Sequence, residues 1–388
     1  MPEDVKIMVV GPGYPYRNGP SVFLAHLCNE LQSKYNVELI NFTTLYPKFL
    51  FPGSTQYDNS KGRLVTFPNK RMLSSLNPVT WLTTARYINK KNPDIVVIDW
   101  WHPFFGPCMY GLTRFLKKSI RKRVVFITEN VISHEANKMD VLLTKTGLTN
   151  AACFLALSEA VQKHLQTLFH KKVFRSSLPI YDFYEQPEGN NVSQKELKKQ
   201  FEFDENNIVF LFFGIVRKYK GLDILLQAMA MLIKEHSNVR LLIAGEFYES
   251  DAPYRELIET LGMANAVKIE NRYIPNEDVA QYFHASDCVV MPYRSATQSG
   301  VLSVAYGFRK PVVVTDVGEL AALVEEDKTG FVAKPQDSDS LKTALQNFQH
   351  KKSEGFDFKN EIEKFLLQID EFKKINDTFR DIYEYVNR

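Results

Sequence analysis

The stretch from residue 209 to residue 221 constrains the fold of this chain more than any other. Residues 209–213 form an unbroken apolar run, too short for a helix and rich in residues that favour β-structure. Such a run predicts a strand buried on both faces, as in a parallel sheet. Gly214 follows, then a turn with three cationic residues, and Gly221 precedes an amphipathic run over residues 222–233. The stretch therefore predicts strand, basic turn and helix, the repeating unit of an α/β fold.

The basic turn within this stretch is a candidate anion site. In α/β sheets the strand-to-helix turn lies at the carboxyl edge, where helix N–H groups attract anions. Arg217 and Lys220 would add two positive charges there, which suits a diphosphate. A solvated basic turn with no ligand is the alternative, and the turn by itself does not choose between the two.

Length and charge set the domain organisation. A chain of 388 residues predicts two domains of ordinary size rather than one. The net charge is only +3, yet residues 1–190 hold 23 Lys and Arg against 14 Asp and Glu, while residues 191–388 hold 25 against 31. A basic first half predicts contact with an anionic partner.

Cysteine usage and hydropathy indicate the compartment. The four cysteines are widely spaced and form no CxxC pair, which predicts buried thiols in a reducing compartment rather than a disulfide or zinc framework. The first residues are acidic where a signal peptide would be basic. The most apolar long window, residues 96–116, is interrupted by charges, prolines and glycines, which argues against a membrane span. We therefore expect a cytoplasmic protein.

The first half begins with a strand, a glycine-rich loop and a helix of its own. Residues 5–10 predict the strand, and Ser21 is expected to cap the helix. Gly19 either lets the backbone approach a ligand or merely ends the loop. The GxGxxG pattern is absent, so a dinucleotide site, and with it a dehydrogenase, is not expected.

Further candidates follow later predicted strands of the first half. Trp101 and His102 follow one strand, and aromatic side chains at such a position suit a sugar-binding site; a structural histidine is the alternative. Glu129 ends the next strand and is the best general-base candidate, although a structural carboxylate is as good an interpretation. His134 follows in the same loop. A nearby basic cluster either binds anionic lipid or is solvated, and solvation is favoured without an exposed apolar neighbour; it comprises Lys117, Lys118, Arg121, Lys122 and Arg123.

The second half repeats the alternation of strand and helix, which predicts a parallel sheet with helices on both faces. Residues 186–193 are polar and read as a linker. After the fourth predicted strand, Ser299, Gly300 and Val301 begin a helix and offer free N–H groups to phosphate. Together with the basic turn, they predict a diphosphate site built from two strand ends.

In combination, these motifs resemble the family 4 glycosyltransferases, the glycosyl transferases group 1 set with the GT-B fold. Residues 213–221 look like the diphosphate loop of that family, residues 11–19 are similar to its N-terminal glycine-rich loop, and residues 287–293, 310–318 and 329–332 look like its C-terminal signature. The resemblance implies an α/β protein with two Rossmann-like domains facing across a cleft. It implies domains at residues 1–185 and 193–352, with helices over 353–388 crossing back to the first domain.

The resemblance also implies a function. Such a protein moves a hexose from a nucleoside-diphosphate sugar to a saccharide or lipid-linked acceptor, in surface polysaccharide or glycolipid assembly, without metal or cofactor. We expect donor binding at Gly19, Gly214, Glu246, Tyr273, Ser299, Gly300 and Val301, catalysis by Arg217, Lys220 and Glu129, and acceptor binding at Trp101, His102 and His134. Peripheral contact with the inner membrane surface is left open, and nucleic-acid binding is not expected because no motif for it accompanies the basic residues.

Two departures from the family pattern keep alternatives open. Ala296 and Val304 occupy the positions of the paired glutamates, Glu-x7-Glu, and Glu246 is a candidate substitute. Glu129 stands where the family has a cleft histidine, which leaves the stereochemical outcome open. The alternatives are a non-catalytic GT-B subunit that binds nucleotide and a GT-B sugar-nucleotide epimerase.

Overall fold

The computed structural model describes residues 4–47, 51, 53–61, 67–131, 138–182, 184, 192–369 and 371–388, the last segment by its backbone alone over 371–374. The chain divides into two compact units. The first unit comprises Met1–Asn59, Arg63–Pro179 and Glu371–Arg388, and the second comprises Ser60–Gly62 and Ile180–Asp370.

The first unit contains strands β1 (Lys6–Val10), β2 (Asn36–Thr44), β3 (Asn69–Ser74), β4 (Ile95–Trp100), β5 (Val124–Thr128), β6 (Cys153–Ala156) and β7 (Val173–Arg175). Its helices are α1 (Gly19–Gln32), α2 (Pro78–Lys91), α3 (Gly106–Arg114), α4 (Lys118–Arg121), α5 (Lys138–Leu148) and α6 (Glu159–Leu168). The last helix of the chain, α14 (Glu371–Val386), belongs to the same unit.

The second unit contains strands β8 (Ile208–Phe213), β9 (Val239–Ala244), β10 (Val267–Glu270), β11 (Cys288–Met291), β12 (Val312–Thr315) and β13 (Gly330–Ala333). Its helices are α7 (Gln194–Gln200), α8 (Leu222–Glu235), α9 (Ala252–Thr260), α10 (Asn276–Ala285), α11 (Gly300–Gly307), α12 (Ser338–Ser353) and α13 (Phe358–Ile369).

Both sheets are parallel and doubly wound. The strand order is β3-β2-β1-β4-β5-β6-β7 in the first and β10-β9-β8-β11-β12-β13 in the second. The order reverses between β1 and β4 in one sheet and between β8 and β11 in the other. Ligands of such sheets bind beyond the carboxyl ends of the strands at this switch point. The predicted α/β class with parallel sheets is confirmed.

The core of the first unit is closed by both ends of the sequence. One face of its sheet packs against Phe23 and Leu27 of α1 and against Ile375, Phe379 and Ile382 of α14, all of them buried. The apolar side of α14 therefore serves as core, as expected of an amphipathic helix.

The two tail helices divide between the units, which corrects the expectation that residues 353–388 pack together on the first domain. Phe358 of α13 contacts Phe348 of α12, with ring centroids 5.3 Å apart, and Phe365 contacts Tyr306 at 5.7 Å. These contacts hold α13 in the second unit, so only α14 joins the first. The predicted linker over residues 186–193 lies mostly outside the described residues.

Three strands, β3, β7 and β13, were not predicted. All three lie at sheet edges. β3 is largely polar and partly exposed, while β7 and β13 are only three and four residues long, so none carries the long apolar run that marks an interior strand. The cap of α1 also differs from expectation, because Asn18 rather than Ser21 caps it: Asn18 Oδ1 accepts the Ser21 N–H at 2.7 Å. Among the described residues no helix has the length and apolar character needed to cross a membrane.

Candidate functional site

Two glycines bring the ends of β8 and β9 together at the carboxyl edge of the second sheet. Gly214 follows β8 with φ +92°, and Gly245 follows β9 with φ +148°. A Cβ atom on Gly245 would lie 2.1 Å from the carbonyl oxygen of Gly214, a distance that no side chain tolerates. Glycine at both positions therefore lets the two strand ends touch directly beside the switch point.

Lys220 reaches into the space next to Gly214. A Cβ on Gly214 would lie 3.2 Å from Lys220 Nζ and 3.5 Å from Cγ2 of Val301, the second residue of α11. The structure thus brings together three of the predicted site residues: the glycine after β8, the lysine of the basic turn, and the start of the helix after β11. They meet where β8 and β11 are neighbours, which is the switch point of this sheet.

The ammonium of Lys220 has no carboxylate partner within the described part of the chain. The residue is only 8% exposed, and Nζ lies 5.6 Å from the centre of the Tyr293 ring. Burial, and then the charge of Arg217, lower the pKa of Lys220 to about 8. A buried cation without a counter-charge is costly, so a bound anion at this position would stabilise it.

The N-terminus of α11 adds a second attraction for an anion. Ser299 occupies the cap position but makes no capping bond; its Oγ lies 3.4 Å from the hydroxyl of Tyr293 instead. The preceding residue, Gln298, has its Oε1 enclosed without a hydrogen-bond partner. An α-helix carries partial positive charge at this end, and its first N–H groups are available to a phosphate.

A bidentate ion pair holds the basic turn in position. Arg294, the third residue after β11, donates from Nη1 and Nη2 to the two carboxylate oxygens of Asp223 at 2.8 and 2.6 Å. Its Nη1 also donates to the carbonyl of Lys218 at 2.8 Å, and its own N–H donates to the carbonyl of Tyr219 at 2.7 Å. The turn is thereby fixed to α8 and to the end of β11. Sequence reasoning missed Arg294, Asp223 and Tyr293, although the residues directly after β11 were the available signal.

The other predicted donor residues lie at varying distances from this centre. Arg217 is exposed, with its guanidinium carbon 5.9 Å from the Tyr219 ring centre. Glu246 is half-buried, and its carbonyl accepts the Val216 N–H at 2.9 Å, so it adjoins the basic turn. Tyr273 is half-buried between β10 and α10, two strands away from β8.

Neither residue at the positions of the paired glutamates carries a charge. Val304 is buried in α11, and the carbonyl of Ala296 lies under Gly318, where a Cβ atom would be 2.1 Å from it. Whether another residue replaces the glutamates, as suggested for Glu246, stays a prediction.

Two carboxyl groups lie at the carboxyl edge of the first sheet. Asp99 is the fifth residue of β4 and is fully buried; Glu129 directly follows β5, and its N–H donates to the carbonyl of Trp100 at 3.2 Å. Asp99 pairs in register with Ile127, so Asp99, Ile127 and Glu129 lie on the same face of the sheet. Both oxygens of Asp99 and Oε1 of Glu129 are enclosed without hydrogen-bond partners.

Burial changes the protonation of these two acids. It raises the pKa of Glu129 to about 8, and burial together with the neighbouring Glu129 raises the pKa of Asp99 well above its usual range. Two buried carboxyls this close do not both ionise near neutral pH. Asp99 was not predicted as a site residue, because the sequence of its otherwise apolar strand does not show that Glu129 lies beside it in the sheet.

The remaining predicted residues of the first unit take separate positions. Gly19 is the first residue of α1, and a Cβ there would meet open space. Trp101 is half-buried, packs on Phe105 with centroids 4.2 Å apart and donates from Nε1 to the Tyr46 hydroxyl at 3.0 Å. His102 is exposed, and its Nδ1 accepts the Phe104 N–H at 3.2 Å, a local capping role. His134 lies outside the described residues.

No group of three or more His, Cys, Asp or Glu side chains among the described residues is arranged to hold a metal ion. The expected independence from metal and cofactor stays a prediction.

The family comparison matches the unit that holds the basic turn. Residues 193–365 match the family described as glycosyl transferases group 1. The second unit is a glycosyl transferases group 1 domain. The resemblance expected from the sequence is therefore confirmed. Gly214, Lys220 and Val301, which meet at the switch point of the second sheet, all lie within the matched residues.

Individual relatives agree with the family. The chain is 34% identical over 140 residues to a D-inositol 3-phosphate glycosyltransferase of Corynebacterium urealyticum, covering 34% of this chain and 33% of the relative. It is 25% identical over 280 residues to the O-antigen chain mannosyltransferase C of Escherichia coli, covering 71% and 72%. For several of the curated relatives that the chain matches, the match spans only between a third and a half of the relative's own length.

A solved structure shows the same fold over nearly the whole chain. Anabaena HepE in complex with UDP and glucose aligns with a TM-score of 0.73 at 16% identity, covering 97% of this chain and 98% of that one. The predicted GT-B fold, with two Rossmann-like domains, is confirmed.

Proposed function

We propose that this protein is a glycosyltransferase that moves a sugar from a nucleoside-diphosphate sugar to a saccharide or lipid-linked acceptor in the assembly of surface polysaccharide or glycolipid. The observation that carries the proposal is Lys220, a buried ammonium without a carboxylate partner among the described residues, beside Gly214 and the N-terminus of α11. A diphosphate supplies the missing negative charge. Relatives named for O-antigen and teichuronic acid biosynthesis support the biological role.

The chemistry of glycosyl transfer accounts for a basic site of this kind. The sugar passes through an oxocarbenium-like state while negative charge develops on the departing diphosphate. Lys220 and Arg217, with the first N–H groups of α11, would stabilise that charge in the transition state. Because Arg294 and the two glycines fix the turn before substrate arrives, little reorganisation is needed during the reaction.

Glu129 would serve the acceptor. A carboxyl with a pKa of about 8 exchanges its proton readily near neutral pH, which suits a general acid or base. Its enclosed Oε1 has no hydrogen-bond partner within the described residues, so it would be available to accept a hydrogen bond from a substrate hydroxyl. Trp101 and His102 remain proposed acceptor contacts.

The first test is nucleotide binding by thermal shift with UDP, GDP, ADP, TDP and CMP. We expect one nucleoside diphosphate to raise the unfolding temperature, and Arg217→Ala to weaken its binding by roughly 1.5–3 kcal/mol. Lys218→Ala is the matched control, because Lys218 is an exposed cation of the same turn. Equal nucleotide affinity in wild type and Arg217→Ala would refute the diphosphate site.

Product analysis then separates the proposal from its rivals. A transferase releases nucleoside diphosphate only in the presence of an acceptor, whereas an epimerase converts the nucleotide-sugar without one. The third possible outcome is nucleotide binding with neither reaction, as in a non-catalytic subunit; this rival rests on Ala296 and Val304 at the positions of the paired glutamates.

We further infer that the first unit contacts an anionic membrane surface through the end of α3 and the basic cluster after it. Tyr110 and Phe115 are 38% and 46% exposed, and both lie close in sequence to Lys117 and Lys118. This supplies the exposed apolar neighbour that the sequence alone did not reveal. Apolar anchors beside basic side chains favour peripheral binding to anionic lipid.

Sedimentation with lipid vesicles tests this inference. We expect binding to phosphatidylglycerol vesicles but not to phosphatidylcholine vesicles, and reduced binding by the Lys117→Gln/Lys118→Gln variant. Lys359→Gln/Lys364→Gln, which removes the same charge from exposed positions of α13, is the control. Vesicle binding that is unaffected by the first pair of substitutions would contradict the inference.

A further inference from the structure

A second basic cavity lies at the opposite edge of the second sheet, at the amino ends of β11 and β12. Its volume is about 460 Å³, and its lining includes Asp287, Lys310, Lys352 and the aromatic residues Phe308 and Phe356. Small-molecule sites are of this size. The cavity is separated from the basic turn by the length of the strands, because Asp287 precedes β11 whereas Arg294 follows it.

The floor of this cavity carries more positive than negative charge. Asp287 is 2% exposed and accepts from Lys198 Nζ at 2.9 Å and from Lys352 Nζ at 3.1 Å. Its carboxylate also accepts the Val209 N–H at 2.8 Å and the Gln194 amide at 3.2 Å, so its acceptor positions are occupied. A third lysine, Lys310, donates to the carbonyl of Ser286 at 2.8 Å. Three ammonium groups therefore surround one carboxylate.

The outer rim of the cavity does not offset this excess. Lys359, Asp357 and Glu363 line it and are exposed to solvent, where their charges are screened. Burial lowers the pKa of Lys310 to about 8, even though Asp287 acts in the opposite direction. The ammonium of Lys310 therefore lacks sufficient negative charge nearby, as does that of Lys220 at the other edge of the sheet.

We propose that this cavity binds a phosphate-bearing small metabolite, with its phosphate between Lys310 and Lys352 and its organic part against Phe308 and Phe356. A phosphate carries up to two negative charges near neutral pH, which matches the excess of two ammonium groups over the carboxylate. The remaining volume accommodates a group larger than phosphate alone. A ligand bound here lies away from the proposed donor site, so it would act as an effector rather than as a substrate.

The test uses inorganic phosphate as the probe and Arg217→Ala as the background, because this substitution weakens the proposed donor site. Phosphate should raise the unfolding temperature of Arg217→Ala by at least about 2 °C relative to chloride at equal ionic strength. The rise should vanish in Arg217→Ala/Lys352→Gln and persist in Arg217→Ala/Lys364→Gln. Lys364 lies on α13, is exposed and pairs with Glu361 at 2.6 Å.

A second variant protects the test against a folding defect. Lys310→Met leaves the ion pairs of Asp287 intact, and it should also abolish the phosphate effect. Broadening of the phosphate signal in ³¹P NMR should follow the same pattern across the variants. A phosphate effect that is absent from Arg217→Ala, or that survives both Lys352→Gln and Lys310→Met, would overturn the proposal and leave the nucleotide-binding result untouched.

Discussion

The carboxyl edges of the two sheets carry buried charges of opposite sign. At the first edge, Asp99 and Glu129 are enclosed acids whose free oxygens have no partner within the described residues. At the second, Lys220 is an enclosed base that no described carboxylate pairs with. Buried ionisable groups are normally paired with a group of opposite charge. Within the described residues, the first edge has buried acids without a cation and the second has a buried cation without an acid. Under the proposed function, the acids of the first edge would exchange a proton with the acceptor, and Lys220 at the second edge would hold the diphosphate.

The largest expected effect comes from removing Lys220, the buried cation at the carboxyl edge of the second sheet (the basic edge). Lys220→Met should lower the rate of nucleoside diphosphate release with acceptor by a factor of about 100–1,000, because the departing diphosphate loses a preorganised charge. Lys218→Met, on the exposed side of the same turn, should leave the rate nearly unchanged. The measurement is a single-turnover assay after the donor class is known. A Lys220→Met rate above a tenth of wild type would remove Lys220 from the mechanism.

The carboxyl edge of the first sheet, with Asp99 and Glu129 (the acidic edge), should make the stability of the protein depend on pH. The pKa of Glu129 is raised to about 8, so the folded protein binds more protons than the unfolded chain between about pH 4.5 and 8. Wild-type stability should therefore fall as pH rises through this window. Glu129→Gln should gain stability on the order of a few kcal/mol at pH 8 and nothing at pH 4.5.

Urea unfolding followed by tryptophan fluorescence measures this gain, since Trp81, Trp100 and Trp101 all lie in the first unit. Glu159→Gln is the control: it removes an exposed carboxylate whose pKa is lowered by Lys163, so it should give no gain. Equal stability of wild type and Glu129→Gln at pH 8 would show that the acidic edge is not strained by charge.

A smaller effect should follow from loosening the basic turn without removing its charges. Arg294→Gln breaks the bidentate pair with Asp223 and the bond to the carbonyl of Lys218. We expect nucleotide affinity to fall threefold to tenfold, since a partly exposed ion pair contributes about 1 kcal/mol. A titration followed by thermal shift measures it. A loss as large as that of Lys220→Met would mean that Arg294 contacts the ligand itself.

The smallest expected effect is proton uptake on nucleotide binding. Burial lowers the pKa of Lys220 to about 8, and a bound diphosphate favours the ammonium and raises this pKa again. Binding at pH 8 should therefore take up about half a proton, and affinity should decrease as pH rises above about 8. Calorimetry in two buffers of different ionisation enthalpy measures the uptake. Lys220→Met should abolish it, and uptake that survives in this variant would assign the proton to another group.

The sequence predicted the basic edge better than the acidic one, for a physical reason. The residues of the basic edge follow apolar strands directly, so strand, turn and helix could be read from residues 209–221 without knowing the fold. The proximity of Gly214 and Val301 could be anticipated because parallel strands end at one edge. The order of the strands in the sheet could not be predicted from the sequence. This order makes β8 and β11 neighbours at the switch point.

The acidic pair depended on tertiary structure from the outset. Glu129 was visible as an acid at a strand end, but Asp99 lies 30 positions earlier and appeared only as an interruption of an apolar run. Register between β4 and β5 brings the two together, and no local pattern encodes register between strands. The bidentate pair of Arg294 and Asp223 was missed for the same reason.

The position of α14 has a consequence for synthesis of the protein on the ribosome. Ile375, Phe379 and Ile382 fill the core beneath the first sheet, yet they are translated after the whole second unit. The first unit to be made is therefore the last to be completed, whereas the second is nearly continuous in sequence and can close its core beforehand. Until α14 emerges, the nascent first unit exposes an apolar face, and chaperones would have their longest access there.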